Sequence, residues 1–204
     1  MKGFHRRLPL EIDGCKMKEK TMGLLSDIFT ASFRGESSPR LPHWIEWKHI
    51  SKGRTHCPTC LKLDGCWFKE DNKPKLPHHA FCHCTAFPLP LSQVLNNTTS
   101  QCDIRKFSEY IFNPKYDANG KRALYEGWGY SIQDSGMLQR KFEEKALEKY
   151  MDGQYVLGRL NEQGQRISIT IELERKDRPG TVQIVTGWMV NPDGHIRLTT
   201  PLGG

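Results

Sequence analysis

Residues 164–173 read Gly-Gln-Arg-Ile-Ser-Ile-Thr-Ile-Glu-Leu, with Ile167, Ile169, Ile171 and Leu173 at every second position. Side chains alternate across a strand, so this spacing places four apolar residues on one face and polar ones on the other. It is the clearest strand signal in the 204-residue chain, and its neighbours extend it. Residues 155–160 precede it across a turn at Glu162-Gln163-Gly164, and residues 176–180 turn the chain into 182–190. Asn191-Pro192-Asp193-Gly194 is a hairpin signal that leads into 195–200. Four strands joined by short turns predict an antiparallel meander.

Upstream of the meander the period changes. Met137, Leu138, Phe142, Ala146, Leu147 and Tyr150 fall on one helical face over 134–151. Ile104, Phe107 and Ile111 mark a shorter helix ended by Pro114, and Asn119-Gly120 opens another that runs to Tyr125. Helices followed by an antiparallel sheet predict an α+β domain over 104–204. The polar run Asn-Asn-Thr-Thr-Ser at 96–100 reads as a linker, placed at 96–103. Ahead of it, residues 36–95 form a separate small module. Residues 1–35 form a basic arm and helix, with Met22, Leu25, Phe29 and Phe33 on one face of 15–34.

Charge and hydropathy narrow the class. Residues 1–100 hold 15 Lys/Arg against 9 Asp/Glu, whereas residues 101–204 hold 15 against 14, so most of the net +7 lies in the first half. That excess suits contact with nucleic acid or an acidic protein, and it suits plain solubility equally well. No apolar run approaches the roughly 20 residues that cross a membrane. The basic start, Met1 to Arg7, is not followed by an apolar stretch or a cleavage site. The expected location is the cytoplasm, with no membrane partner.

Five of the seven cysteines fall between 57 and 84, interleaved with histidines. Tight clustering of this kind points to a metal rather than a disulfide scaffold. Cys57-Pro-Thr-Cys60 has the spacing that lets two thiolates share one zinc ion, and His79-Ala-Phe-Cys82-His-Cys84 supplies more donors. Structural zinc takes four tetrahedral N/S ligands. Cys57 and Cys60 supply two, and the others come from His79, Cys82 and Cys84, among which spacing does not choose. His56, His78 and His83 are weaker candidates. A surplus of soft donors favours a closed structural shell over a catalytic zinc with an open position. The plain alternative is a set of reduced, unligated cysteines.

The run Cys57-Pro-Thr-Cys60-Leu-Lys-Leu-Asp64-Gly65, with Pro77 and His79-x-x-Cys82-x-Cys84-Thr85, resembles the C-terminal signature of phage minor head proteins of the Mu F, head-morphogenesis type. The likeness covers roughly 44–90. It departs at Ala80-Phe81, where the family pattern has Pro-Asn, and at His83, where it has Arg. The resemblance implies a phage or prophage origin and association with a capsid, a portal or a host protein. Most of the helical portion that precedes the signature in that family has no counterpart here.

Residues 104–204 resemble small toxin-type domains of the barnase–EndoU–colicin–RelE class, in Tyr110-Ile-Phe-Asn113-Pro114, Gly120-Lys121, Gly129-Tyr130, a helix, and four strands holding Trp188 and Arg197-Leu-Thr199. The resemblance implies a metal-independent ribonuclease, with RNA such as tRNA as substrate and an immunity protein as partner. The residues themselves allow that chemistry. Strand alternation sets His195, Arg197 and Thr199 on one face, as a base, a phosphate clamp and a further donor. Lys121 would add a cation, and Tyr130 would stack on a base or donate a proton. An exposed His/Arg/Thr face is equally ordinary for a half-buried sheet.

Overall fold

The computed structural model describes residues 43–50, 57–115 and 120–203. The helix expected at 15–34 and the basic arm lie outside them, as does His56. The described part is mixed α+β, and it belongs to one compact unit, Pro42–Gly204. Among the described residues no helix is long and apolar enough to cross a membrane.

Two sheets organise this unit. The smaller has the order β2-β1-β3, with β1 (Trp44–His49) antiparallel to both β2 (Trp67–Lys69) and β3 (Cys84–Leu89). The short helix α1 (Pro58–Leu63) precedes β2, with Pro58 in its first turn, where the missing N–H costs nothing. The larger sheet has the order β4-β8-β7-β6-β5. Its antiparallel part is β5 (Val156–Asn161), β6 (Gly164–Glu174), β7 (Thr181–Val190) and β8 (His195–Thr200). In β6 the expected alternation is real: Ile167, Ile169, Ile171 and Leu173 are buried, and Thr170, Glu172 and Glu174 are exposed. The long helix α4 (Ser135–Met151) buries Leu138, Phe142, Ala146 and Tyr150 in the same core. Two shorter helices, α2 (Leu91–Asn97) and α3 (Lys121–Gly127), and a π-helical turn (Lys106–Ile111) complete the frame.

The expected linker is not one. Residues 91–97 form α2, and Thr99–Gln101 forms β4, which lies parallel to β8 at the edge of the larger sheet. Ser100 donates its hydroxyl to the Glu143 carbonyl at 2.6 Å. The Cys102 N–H reaches the Glu143 carboxylate at 2.8 Å, and Gln139 donates to the Cys102 carbonyl at 3.0 Å. A polar strand at a sheet edge needs no apolar face, because the ladder and α4 satisfy its polar groups instead.

The small sheet is joined to the larger body across the same boundary. Tyr150 donates its hydroxyl to the Trp67 carbonyl, and its ring meets Trp44 edge-on at 5.4 Å. Tyr155 donates to the Asn72 carbonyl at 2.7 Å, and Asn72 returns its amide to the Tyr155 carbonyl at 2.6 Å. Trp44, Trp47 and Trp67 are almost fully buried in one cluster with Tyr150, Tyr155 and Ile196. Each indole removes on the order of 4–6 kcal/mol of apolar surface from water. Gly194, at φ +78, lies where a Cβ would come within 2.6 Å of the Trp67 ring, so the β7–β8 hairpin also closes against the small sheet.

The 3-10 turn Ile132–Asp134, which leads into α4, starts on a capping box. Asp134 accepts from both the N–H and the hydroxyl of Ser131, and it pairs with Lys176 at 2.8 Å. The Lys176 ammonium, then the Ser131 donors, hold the Asp134 carboxyl below its ordinary value. Its stabilisation is therefore complete above the unfolded pKa of about 3.9 and is lost as pH falls through the lower folded value. Asp134→Ala should cost about 1 kcal/mol at neutral pH. Urea melts of wild type and variant, repeated from pH 6 down to pH 2, should converge as the wild type loses that increment.

Candidate metal centre

The donors come from two places in the chain. Cys57 stands at the N-terminus of α1, and Cys60 lies one turn on, fully buried. The loop before β3 carries His79 and Cys82, and Cys84 opens the strand. Phe81 between them takes φ +62, a left-handed conformation unusual outside glycine and asparagine. The Cys82 N–H bonds to the His79 carbonyl at 3.2 Å, which closes the turn.

Donor atoms of Cys57, Cys60 and His79 lie within 4.8 Å of one another. The His79 Nε2 is 3.1 Å from Cys60 Sγ, and Cys82 Sγ is 3.9 Å from it. Zinc–sulfur bonds near 2.3 Å in a tetrahedron set sulfur atoms about 3.8 Å apart, so these separations fit one ion. His79 Nδ1 lies 2.5 Å from the Ala80 carbonyl. Donation there leaves the Nε2 lone pair for a metal, the arrangement that orients ligating histidines. These residues could hold a metal ion.

A further donor was not foreseen. His49, Cys60 and Cys84 also place their ligand atoms within 4.8 Å of one another, with His49 Nδ1 3.7 Å from Cys84 Sγ. The cause is strand register: His49 is the direct partner of Cys84 in the β1–β3 ladder. Asp64, in the Leu-Asp-Gly step, accepts the His49 N–H at 2.9 Å, and the Gly65 N–H bonds to the Trp47 carbonyl at 2.7 Å. That step is a turn which fixes the end of β1. His78 packs its ring edge-on against His79, and the His83 carbonyl accepts the Ile50 N–H.

The thiols differ in proton affinity. The backbone N–H of Cys60 lowers the pKa of Cys57. Burial works against the Cys82 thiolate, yet N–H groups of Cys84 and His78 and neighbouring thiols outweigh it and bring Cys82 down to about 7. Burial, then the Cys84 thiol, pushes Cys60 well up. Burial also raises Cys84, opposed by the Trp47 indole N–H. A metal taken up here must displace protons, so affinity should fall in acid.

The residues expected to carry RNA chemistry do not all meet. An open cleft of about 670 Å³ is lined by Thr99, Ser100, Gln101, Asn191, His195, Ile196 and Arg197. His195 and Arg197 are exposed in β8, opposite the buried Ile196 and Leu198, and His195 Nδ1 is hydrogen-bonded to the Thr99 hydroxyl. Arg197 lies in a row across the sheet with Met189 and Arg166 on one side and Gln101 on the other. Thr199 lies beyond the cleft, its hydroxyl buried beside Gly187 and without a hydrogen-bond partner. Lys121 bonds to the Tyr110 hydroxyl and the Leu202 carbonyl, both at 3.0 Å. Tyr130 is buried and donates to the Glu174 carbonyl, about six residues or ~20 Å along β6 from the part of the sheet that β8 covers. Neither lines the cleft. Their committed hydrogen bonds tie down the chain around α3 instead.

Comparison with known proteins finds no matching family model, no matching curated protein and no matching solved structure.

Proposed function

We propose that residues 57–84 bind structural zinc, in a module of the phage minor head type that anchors an α+β body. The observation that carries this reading is the convergence of Cys57, Cys60 and His79 within 4.8 Å, with Cys82 beside them. Soft thiolates with imidazole select zinc among the common divalent ions. The zinc fixes α1 and the 79–84 loop against β1, so its work is structural. Protein purified under reducing conditions should contain at least one zinc per chain by elemental analysis. No stoichiometric metal would refute the reading.

A specific observation favours a second role, RNA cleavage in the β4–β8 cleft. His195 holds Nδ1 against Thr99 and leaves Nε2 toward the cleft, and Arg197 stands on the same face. Nε2 would take the 2′-hydroxyl proton as O2′ bonds to phosphorus and the P–O5′ bond breaks; the O5′ leaving group is then protonated. Arg197 would hold the phosphate oxygens. Among the described lining residues there is one imidazole, that of His195, and no carboxylate or thiol, so it would serve both proton transfers. Capsid, portal or immunity-protein contacts belong to this reading as partners that the resemblances suggest.

A further inference from the structure

We propose that the cluster holds two metal ions, bridged by the Cys60 thiolate, and that His49 is a ligand of the second. The proposal rests on reading the cluster as a metal centre. It changes the number of ions and the ligand set.

The donors divide into two sets that share only Cys60: Cys57, Cys60 and His79 in one, and His49, Cys60 and Cys84 in the other. Cys60 is also the most buried of these donors, and Cys82 Sγ lies 3.9 Å from it, outside both sets. A single tetrahedral ion takes four ligands. Among the described residues four thiols and two imidazoles converge, and one ion would leave two of them without a role. Two ions sharing Cys60 use all six. One is held by Cys57, Cys60 and His79, and the other by His49, Cys60 and Cys84. Cys82, 3.9 Å from the shared sulfur, completes one of the two shells.

The surroundings of the second set resemble a built site. His49 and Cys84 are direct partners in a β-ladder, so their separation is fixed by backbone rather than by flexible side chains. The Asp64 carboxylate holds the His49 N–H. The Trp47 indole nitrogen is buried, and it has no hydrogen-bond partner that meets ordinary geometry. Charge agrees as well. Three thiolates and an imidazole around one divalent ion carry a net charge of about −1 and leave the fourth thiol unused, whereas two ions neutralise all four thiolates.

The test is native mass spectrometry of the full chain loaded with Zn²⁺, and separately with Co²⁺, to count ions per chain. Wild type is expected to hold two, and His49→Ala one. His49→Cys, which keeps a donor at the ladder position, should restore two, and it covers the case in which the alanine variant folds poorly. The Co²⁺ spectrum of His49→Ala should lose part of the visible d–d absorption. One ion in wild type, or two in a folded His49→Ala, overturns the bridge while the metal centre stands. No ion in wild type overturns both.

Discussion

Stripping the metal, or replacing Cys60 with alanine, is expected to destabilise the whole Pro42–Gly204 body in a single transition. Structural zinc supplies on the order of 10 kcal/mol to the fold it organises, comparable to the whole net stability of a typical domain. In a two-domain chain with a free linker that loss would stay local. Here Trp44, Trp47 and Trp67 share a core with Tyr150 and Tyr155, and the Trp67 carbonyl accepts the Tyr150 hydroxyl. Releasing the small sheet exposes these groups and leaves polar atoms of α4 unpaired. A loss of even ~5 kcal/mol should lower Tm by about 10–20 °C at this size. Thermal melts with and without EDTA, read by far-UV circular dichroism and by tryptophan fluorescence, should shift together. A chelated protein whose tryptophan signal melts early, while the β-sheet signal keeps its original midpoint, would restore independent domains.

The elements legible in the sequence are those whose neighbours in space are also neighbours along the chain. Strands β5 to β8 follow one another through short turns, and β6, the first half of β7 and the start of β8 present the alternation that one buried face imposes. Helix α4 shows its apolar face over 17 residues. Strand β4 gives no such signal. It has three polar residues, and its partner β8 lies 96 residues further on, from Thr99 to His195. A parallel edge strand held by α4 therefore reads as a linker, and the domain boundary inferred from it falls with it.

The candidate site shows the same division. Cys57, Cys60, His79, Cys82 and Cys84 were legible because thiolate spacing within one turn is a local constraint. His49 was not, because only the β1–β3 register brings it beside Cys84, and register depends on pairing rather than composition. A usable signal was present in the two tryptophans of Trp44–His49, which mark a buried strand ending in a histidine. Tyr130 and Lys121 stand apart from the cleft for the opposite reason. Their residue types suit RNA chemistry, but hydrogen bonds to the Glu174 and Leu202 carbonyls tie them to the frame.

RNA cleavage that survives EDTA and disappears in His195→Ala is the expected signature of the β4–β8 cleft. The assay is best run on protein in which the structural metal is tightly held, with EDTA added only to suppress free divalent ions. A positioned imidazole contributes about 10²–10⁴-fold to such a reaction, so His195→Ala should lower the single-turnover rate on total tRNA by that factor. Arg197→Ala should weaken substrate capture as well as slow the step, because it removes a bidentate phosphate contact on the same strand face. Arg166→Ala, one strand beyond Met189, should weaken binding and its salt dependence while leaving the bound-state rate near wild type. Lys121→Ala and Tyr130→Phe should change stability rather than cleavage, since neither lines the cleft. Thr99→Val removes the hydroxyl bonded to Nδ1, and it should slow cleavage by releasing the imidazole from its fixed orientation. Binding that falls with salt, without any cleavage by wild type, would leave the cleft as a nucleic-acid-binding surface. Equal background cleavage and no binding by wild type and by the His195→Ala, Arg197→Ala double variant would remove RNA from the account altogether, and leave the candidate metal centre standing.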